Sequence, residues 1–466
     1  MNELRPLDTG FIELEDADRR ISLGIAVTAV LAGPPPRREE FAALLTARIA
    51  GMPRMRQRVR RTVLDLAAPE WEDDPAFDLG HHLRWTALPR PGQDSALCEL
   101  VAAEIEERLD RDRPLWECVV VEGLADDRWA VILKAHHSLV DGVSGLAVFE
   151  TLCDPGPVDD APARRGRPVR KRPEHAGWAK LPTALPAAVF GTVRSLVPVG
   201  AAVLRQGPVS SLNGPIGHRR RYTAVRLPLP VVSAIGAAYH VTVNDVVLAA
   251  ITTGYRELLR GRGEEPAAHP LRILVPVSMR SGHAKYVMDN RVSAVLPDLP
   301  VDRADPVDRL RVVHMTMKAH KSGGAPGAEH LVLKLARGLP FAAVAWTLRL
   351  VARFPQHGVA GLATNVPGPR HALTLRGRPV LELLPAVPIA MRLRTAIAIL
   401  SYHDHLVFGI TGDYDSTPDI DVLATGIRGA VRELAARAGC GMAADAPPDR
   451  TPSRPPAPEP RSPGRR

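Results

Sequence analysis

The chain reads as an α/β protein of two units. Three observations predict this. Its 466 residues, 45% of them hydrophobic, are enough for two or three cores at about 150 residues each. Strand-like runs at Trp129–Ala135, Leu271–Val277, Arg291–Leu296 and Thr395–Leu400 are interspersed with helical runs at Asn244–Arg260 and Asp421–Ala438. Between them lies Asp154–Arg172 (DPGPVDDAPARRGRPVRKR), a Pro-, Gly- and Arg-rich stretch that cannot bury enough apolar surface to fold alone.

These features divide the chain into a first unit at 1–153, a linker or crossover at 154–212, a second unit at 213–442 and a disordered tail at 443–466. Within the crossover, about Pro173 to Gln206 regains helical composition despite its prolines and is expected to connect the units. The basic run Arg164–Arg172 lacks interleaved aromatic residues, so it reads as a solvated crossover and no nucleic acid partner is expected.

The most informative segment follows the first strand. Lys134–Gly142 reads KAHHSLVDG, and it begins at the end of the run WAVILKA, which has the period of a strand. A histidine at a strand end facing a cleft is suited to proton transfer near neutral pH. Adjacent residues at such an end point to opposite sides, and no HExxH or CxxC supplies further ligands, so a metal site is not expected. Gly142–Phe149 should begin a helix, with Asp141 placed to cap it.

HHxxxDG, spanning His136 to Gly142, is the signature of the CoA-dependent acyltransferase superfamily. The surrounding sequence resembles its bacterial wax ester synthase/diacylglycerol acyltransferase branch. The PLW element stands at Pro114, Leu115 and Trp116, and Ser211–Arg220 (SLNGPIGHRR), Thr242–Ala249 (TVNDVVLA), Val275–Arg280 (VPVSMR), Thr364–Pro369 (TNVPGP) and Ser401–Asp413 (SYHDHLVFGITGD) recur in the branch's order. The resemblance covers roughly Leu7 to Leu434. It implies two chloramphenicol-acetyltransferase-like lobes, each a mixed sheet flanked by helices, with the active site at their interface.

The resemblance implies O-acyl transfer from acyl-CoA, as co-substrate, to diacylglycerol or a long-chain alcohol, with no permanently bound cofactor and no metal. His137 is then the general base, because a thioester is already activated and needs no covalent acyl-enzyme. His136 is expected to be structural. Asp141 is expected to pair with Arg280 and hold the loop, and Asn244 to donate to the reacting carbonyl, while Asp245 starts the following helix. Gly142 leaves room for substrate or for an unusual backbone conformation. Pro114, Leu115 and Trp116 should shape the acyl channel or the lobe contact, and Ser278 and Arg280 belong to the same set of binding or structural positions. Ser144 lies in GVSG, which is not the G-x-S-x-G elbow of hydrolases, so it is the weaker nucleophile reading.

The chain departs from the branch's pattern at Ile21-Ser22, Ser278-Met279-Arg280 and Asn290, positions that bear on the acceptor and not on the reaction class. A different acceptor, a polyketide or complex-lipid hydroxyl, is the nearer alternative. An inactive acyl-lipid binding protein is the alternative of another class.

The net charge is +9 and the sequence begins without a basic flank and apolar core of a secretory signal. Apolar stretches at Leu181–Val193 and Leu339–Val351 are broken by Pro182, Pro186 and Arg349, so no spanning helix is expected. Gly338–Phe354 mixes Trp, Phe and Leu with arginines as interfacial helices do, which together with the charge suggests a cytoplasmic protein peripheral to a membrane or lipid droplet. Cys98, Cys118, Cys153 and Cys440 have neither metal nor disulfide spacing and read as inert buried thiols.

Overall fold

The computed structural model describes residues 4, 6–61, 68–155, 210–266, 271–278, 292–322 and 358–441. In chain order the first part contains α1 (Pro6–Ala17), β1 (Gly24–Ala32), α2 (Arg38–Ala50), β2 (Gln57–Arg60), β3 (Glu70–Asp73), β4 (Leu83–Ala87), α3 (Asp94–Glu106), β5 (Trp116–Leu124), β6 (Arg128–His136) and α4 (Gly142–Leu152). The second contains β7 (Arg220–Pro228), α5 (Leu229–Ala238), α6 (Val243–Gly261), β8 (Leu271–Ser278), β9 (Val292–Val295), β10 (Asp298–Leu299), α7 (Pro306–Ser322), β11 (Gly361–Val366), β12 (Thr374–Leu375), β13 (Arg378–Ala386), β14 (Thr395–Tyr402), β15 (His405–Asp413) and α8 (Ile420–Arg437). The strands predicted at Trp129–Ala135, Leu271–Val277, Arg291–Leu296 and Thr395–Leu400 form as β6, β8, β9 and β14, and the two predicted helical runs form as α6 and α8. Most of the crossover, the 338–354 segment and the tail lie outside the described residues.

Two mixed sheets organise the molecule. The first has the order β12-β13-β1-β6-β5-β4, antiparallel except for the parallel β4–β5 pair. The second has the order β10-β8-β11-β14-β15-β7, with β9 beside β8, and its β8–β11 and β11–β14 pairs are parallel. Strand β6 shows why a continuous apolar run was needed. Trp129, Val131, Leu133 and Ala135 enter the core shared with Phe41 and Leu45 of α2 and Phe149 of α4, whereas Ala130 and Ile132 enter the core shared with Leu97 and Val101 of α3. A strand covered on both faces cannot alternate with polar residues.

The division at 213 needs correction. Strands β12 and β13 come from the C-terminal half, yet β13 pairs antiparallel with β1 from Ala26↔Ala386 to Leu31↔Val380 and completes the first sheet. Leaving that side of β1 open would expose a row of unpaired backbone groups beside Leu383, Leu384 and Ala386, which are buried. Further ties cross between the lobes. Tyr222 Oη on β7 donates to Pro385 O at 2.9 Å, and Arg226 of β7 pairs with both Glu382 of β13 and Asp94 of α3.

Gly409 of β15 marks the closest approach of the sheets: a Cβ there would lie 1.8 Å from Pro385 O, a backbone atom that cannot move aside cheaply. Gly409→Ala should therefore destabilise the fold by about 1–3 kcal/mol and lower the thermal midpoint by several degrees. Gly429→Ala, on the exposed side of α8 where a Cβ meets nothing within 4 Å, should instead raise stability by up to about 1 kcal/mol in the same melting experiment.

Candidate active site

The HHxxxDG loop begins where β6 ends. Register pairs Gly24 of β1 with His136, so the residues just before β1 lie alongside the histidines. His136 is 1% exposed. Its Nδ1 receives Ser138 N–H at 3.1 Å and lies 2.7 Å from Ser138 Oγ, which leaves the ring proton on Nε2. That atom stands 3.5 Å from Glu15 Oε2, a long contact to a fully buried carboxylate on α1. The ring of His136 is thus enclosed by Ser138 and Glu15.

His137 is half-buried and its ring stacks on Phe11 of α1, with centroids 4.2 Å apart and planes inclined by 24°. Its backbone N–H donates to Leu23 O at 2.9 Å. Leu23 N–H in turn donates to Glu15 Oε1 at 2.8 Å. The backbone of one residue, Leu23, therefore links the helix bearing Glu15 to the backbone that presents His137.

Asp141 is the N-cap of α4. Its Oδ1 accepts from Ser144 N and from Ser144 Oγ, both at 2.8 Å, and Ser144 Oγ accepts from Asp141 N at 3.0 Å. This reciprocal box satisfies backbone groups that a helix start leaves open. It also occupies Ser144, 1% exposed, which argues against a serine nucleophile. Arg280, the expected partner of Asp141, lies outside the described residues, as do the side-chain surroundings of Ser278 at the end of β8. Gly142 does not have a positive φ, so the unusual-backbone expectation is corrected: a Cβ there would lie 2.9 Å from Val366 Cγ2 of β11, and the glycine admits the opposite lobe.

Val366 leads to the second motif. Its neighbour Asn365 donates from Nδ2 to Asn244 Oδ1 at 3.2 Å. Asn244 is the second residue of α6, whose start repeats the device seen at α4: Thr242 accepts from Asp245 N at 3.2 Å and Asp245 Oδ2 accepts from Thr242 N at 2.9 Å. Asp245 also accepts from His314 Nδ1 at 2.9 Å. Burial opposes its ionisation, but His314 and the Thr242 groups prevail and hold its carboxyl below the usual range. The contacts Gly142–Val366 and Asn365–Asn244 thus bring the HHxxxDG loop and the ND element together across the lobes.

The PLW element sits elsewhere. Leu115 and Trp116 are fully buried in the first lobe, Trp116 Nε1 donates to Met55 O at 2.7 Å, and its ring stacks on His82 at 4.6 Å. Pro114 is buried beside them, and Leu115 O accepts from His136 N at 2.9 Å. The expected channel or lobe-contact role is replaced by a core role that fixes the base of the histidine loop. Burial pushes the thiols of Cys118 and Cys153 up to about 12 and that of Cys98 up to about 11, so these thiols stay protonated at neutral pH.

Three residues of the site escaped sequence reasoning. Phe11 and Glu15 lie one turn apart on α1, a spacing visible in GFIELE that had no strand or motif to attach to. Asn365 lies inside TNVPGP, which was recognised as an element without a role for its amide.

Burial tends to raise the Glu15 pKa, but His136, Arg111 and the Leu23 N–H outweigh it and lower the value from 4.5 to about 2. A depressed carboxylate contributes stability that is complete above its unfolded pKa and fades as pH falls toward the folded one. Between pH 5 and pH 3 the protein should lose on the order of 2 kcal/mol more stability than Glu15→Gln does, measured by denaturant unfolding at each pH.

Comparison with known proteins agrees with this geometry. The family model for the wax ester synthase/diacylglycerol acyltransferase catalytic domain matches residues 4–247, and that for the WS/DGAT C-terminal domain matches 288–435. A protein of Mycobacterium tuberculosis (strain ATCC 25618 / H37Rv) named as a probable diacylglycerol O-acyltransferase, tgs1, is 46% identical over 449 residues, 94% of this chain and 96% of its own. The structure of the wax ester synthase/diacylglycerol acyltransferase from Marinobacter aquaeolei VT8 is similar with a TM-score of 0.67 at 26% identity, over 94% of this chain and 100% of that one. The first condensation domain of the calcium-dependent antibiotic synthetase, 15% identical with a TM-score of 0.60 over 95% and 97% of the two chains, shares the two-lobed fold. With both family domains matched in order and the HHxxxDG loop and the ND element both in contact with β11, the chain belongs to the wax ester synthase/diacylglycerol acyltransferase family.

Proposed function

We propose that this enzyme moves a long-chain acyl group from acyl-CoA to the free hydroxyl of diacylglycerol, with long-chain alcohols as secondary acceptors. The observation that carries the reading is His137, half-buried just after the end of a buried strand and five residues ahead of Gly142, which packs against Val366 next to the Asn365 that holds Asn244. His137 accepts the hydroxyl proton as the alcohol oxygen attacks the thioester carbonyl. With Oδ1 engaged by Asn365, Asn244 offers its Nδ2–H groups to the oxyanion that develops. Collapse of the tetrahedral intermediate breaks the C–S bond, and the imidazolium returns the proton to the departing thiolate. Asp141 holds the loop through its helix cap and takes no part in the proton transfer. The thioester supplies the activation, so acyl-CoA is needed only as co-substrate.

His137→Ala should fold and lose about two to four orders of magnitude in turnover, the usual range for a general base, while His136→Ala costs less. Palmitoyl-CoA and a panel of alcohols, followed by separation of neutral lipids, provide the assay. Initial-rate plots should intersect, and labelled acyl-CoA alone should leave no label on the denatured protein. Near-normal turnover in His137→Ala would remove the mechanism. Acylation of a polyketide or complex-lipid hydroxyl in place of diacylglycerol would change the acceptor, and tight acyl-lipid binding without turnover would make the chain a binding protein.

Diacylglycerol resides in membranes. Among the described residues no single helix is long and apolar enough to cross one. We therefore place the enzyme at the cytoplasmic face of a membrane or at a lipid-droplet surface, held by its net charge of +9. It should sediment with anionic vesicles at low salt and detach largely at high salt, because the attraction fades over a Debye length of about 8 Å at physiological ionic strength. Sedimentation indifferent to lipid charge and salt would point to a soluble acceptor.

A further inference from the structure

We infer that Glu15 is a positioning residue for acyl transfer, acting on His136 through its ring and on His137 through the Leu23 peptide. The inference rests on the acyl-transfer reading above. Helix α1 contributes three contacts to the histidine loop. Phe11 supports the His137 ring, Glu15 Oε2 faces His136 Nε2 at 3.5 Å, and Glu15 Oε1 takes Leu23 N–H at 2.8 Å.

The third contact matters most for the base. Leu23 presents its N–H to Glu15 and its carbonyl to His137 N–H at 2.9 Å, so the backbone of this residue is held on both sides. On the other side of the loop, His136 N–H is held by Leu115 O at 2.9 Å. The two peptides that lead into His137 are thus tied, one through Leu23 to a buried carboxylate and the other to the PLW core. The ring of His136 fills the space between. Its Nδ1 takes the Ser138 N–H, which turns the chain toward Asp141, and its Nε2 lies 3.5 Å from Glu15 Oε2.

The carboxylate is itself secured. It is 1% exposed, and Arg111 reaches its Oε2. Arg108 binds Ile21 O at 2.8 Å and Asp18 O at 2.6 Å, strapping the turn between α1 and β1 so that Glu15 and Leu23 cannot separate. Buried charge with this many fixed partners favours a single arrangement, and misplacing a reacting group by about 1 Å can cost about 100-fold in rate. Glu15 touches neither substrate nor the reacting atoms in this scheme.

The test compares wild type, Glu15→Gln, Glu15→Asp, His136→Ala and Glu15→Gln/His136→Ala, each assayed well below its own melting midpoint so that only folded protein is read. Glutamine keeps an oxygen for Leu23 N–H and removes the charge that faces His136. We expect kcat to fall about 10- to 100-fold in Glu15→Gln with the KM for palmitoyl-CoA within about twofold, and Glu15→Asp to recover part of the loss. The double variant should be scarcely worse than the more damaged single variant, because the two residues act as a unit. Wild-type kcat in Glu15→Gln, or losses that simply multiply in the double variant, would overturn the inference. If Glu15→Gln does not fold, Glu15→Asp decides: lowered kcat at unchanged KM supports it, and unchanged kcat overturns it.

A second measurement does not depend on activity. Ring ¹⁵N shifts of His136, assigned by its loss in His136→Ala, should show the proton on Nε2 in the wild type and a changed tautomer balance in Glu15→Gln or Glu15→Asp. Identical His136 shifts in all folded variants would overturn the inference even if the chain proved to have another substrate. Failure of wild type to acylate any alcohol, with the His136 shifts moving as expected, would instead sink the acyl-transfer reading and leave the Glu15–His136 coupling standing.

Discussion

The addition of β13 to the free side of β1 is the constraint from which the site follows. It carries a strand from the C-terminal half into the first sheet, with Leu383 and Leu384 buried there, while β14 and β15 remain in the second sheet directly after it in sequence. The lobes therefore cannot separate without breaking a β-ladder that runs from Ala26↔Ala386 to Leu31↔Val380. Because β1 is also the partner of β6, only β1 separates the strand that joins the lobes from the strand that ends at the histidines. Contacts such as Gly142 against Val366 are then set by the backbone of the sheets and not by surface side chains.

Both motif helices begin in the same way, and this separates structural from chemical residues. Asp141 and Ser144 close the start of α4, and Thr242 and Asp245 close the start of α6. Each box commits a carboxylate to backbone N–H groups, where an anion is also favoured by the helix dipole. The groups proposed above to carry the chemistry are those the boxes leave aside: His137 ahead of α4 and Asn244 in the first turn of α6. An aspartate beside a catalytic histidine invites comparison with a triad, but hydrogen bonds to Ser144 N and Oγ already hold its carboxylate in the helix cap. The same bonds explain why a serine so close to the histidines is not positioned to become acylated.

Local features were legible in the sequence where the physics is local. The apolar run of β6, the helix starting at Gly142 and the long amphipathic helices α6 and α8 all appear within a residue or two of their predicted positions, because period and capping are read over short windows. The motif residues His136, His137 and Asn244 were likewise found by their pattern. What stayed hidden is non-local. RPVLELLPA gives no sign that it will cross to β1, since pairing partners hundreds of residues apart leave no mark in either strand. PLW looked like a channel element because it is apolar, yet Trp116 satisfies its indole N–H on Met55 O inside the core. Glu15 looked like one acid among several in FIELEDA, and only burial of α1 against the loop distinguishes it from the half-exposed Asp16.

The division of labour that results is economical in polar groups. A buried carboxylate usually destabilises a fold unless partners meet each oxygen. Here Leu23 N–H meets Oε1, and Arg111 and His136 face Oε2, so the charge is retained at a position where it also organises the loop. An apolar residue at position 15 would leave Leu23 N–H without an acceptor beside the backbone of His137 and would remove the carboxylate that faces His136 Nε2. Stability alone would favour that exchange as often as not. The charge lies where it can set geometry: two histidines adjacent in sequence have different surroundings, the ring of one between Ser138 and Glu15, the ring of the other stacked on Phe11 with its backbone N–H on Leu23 O.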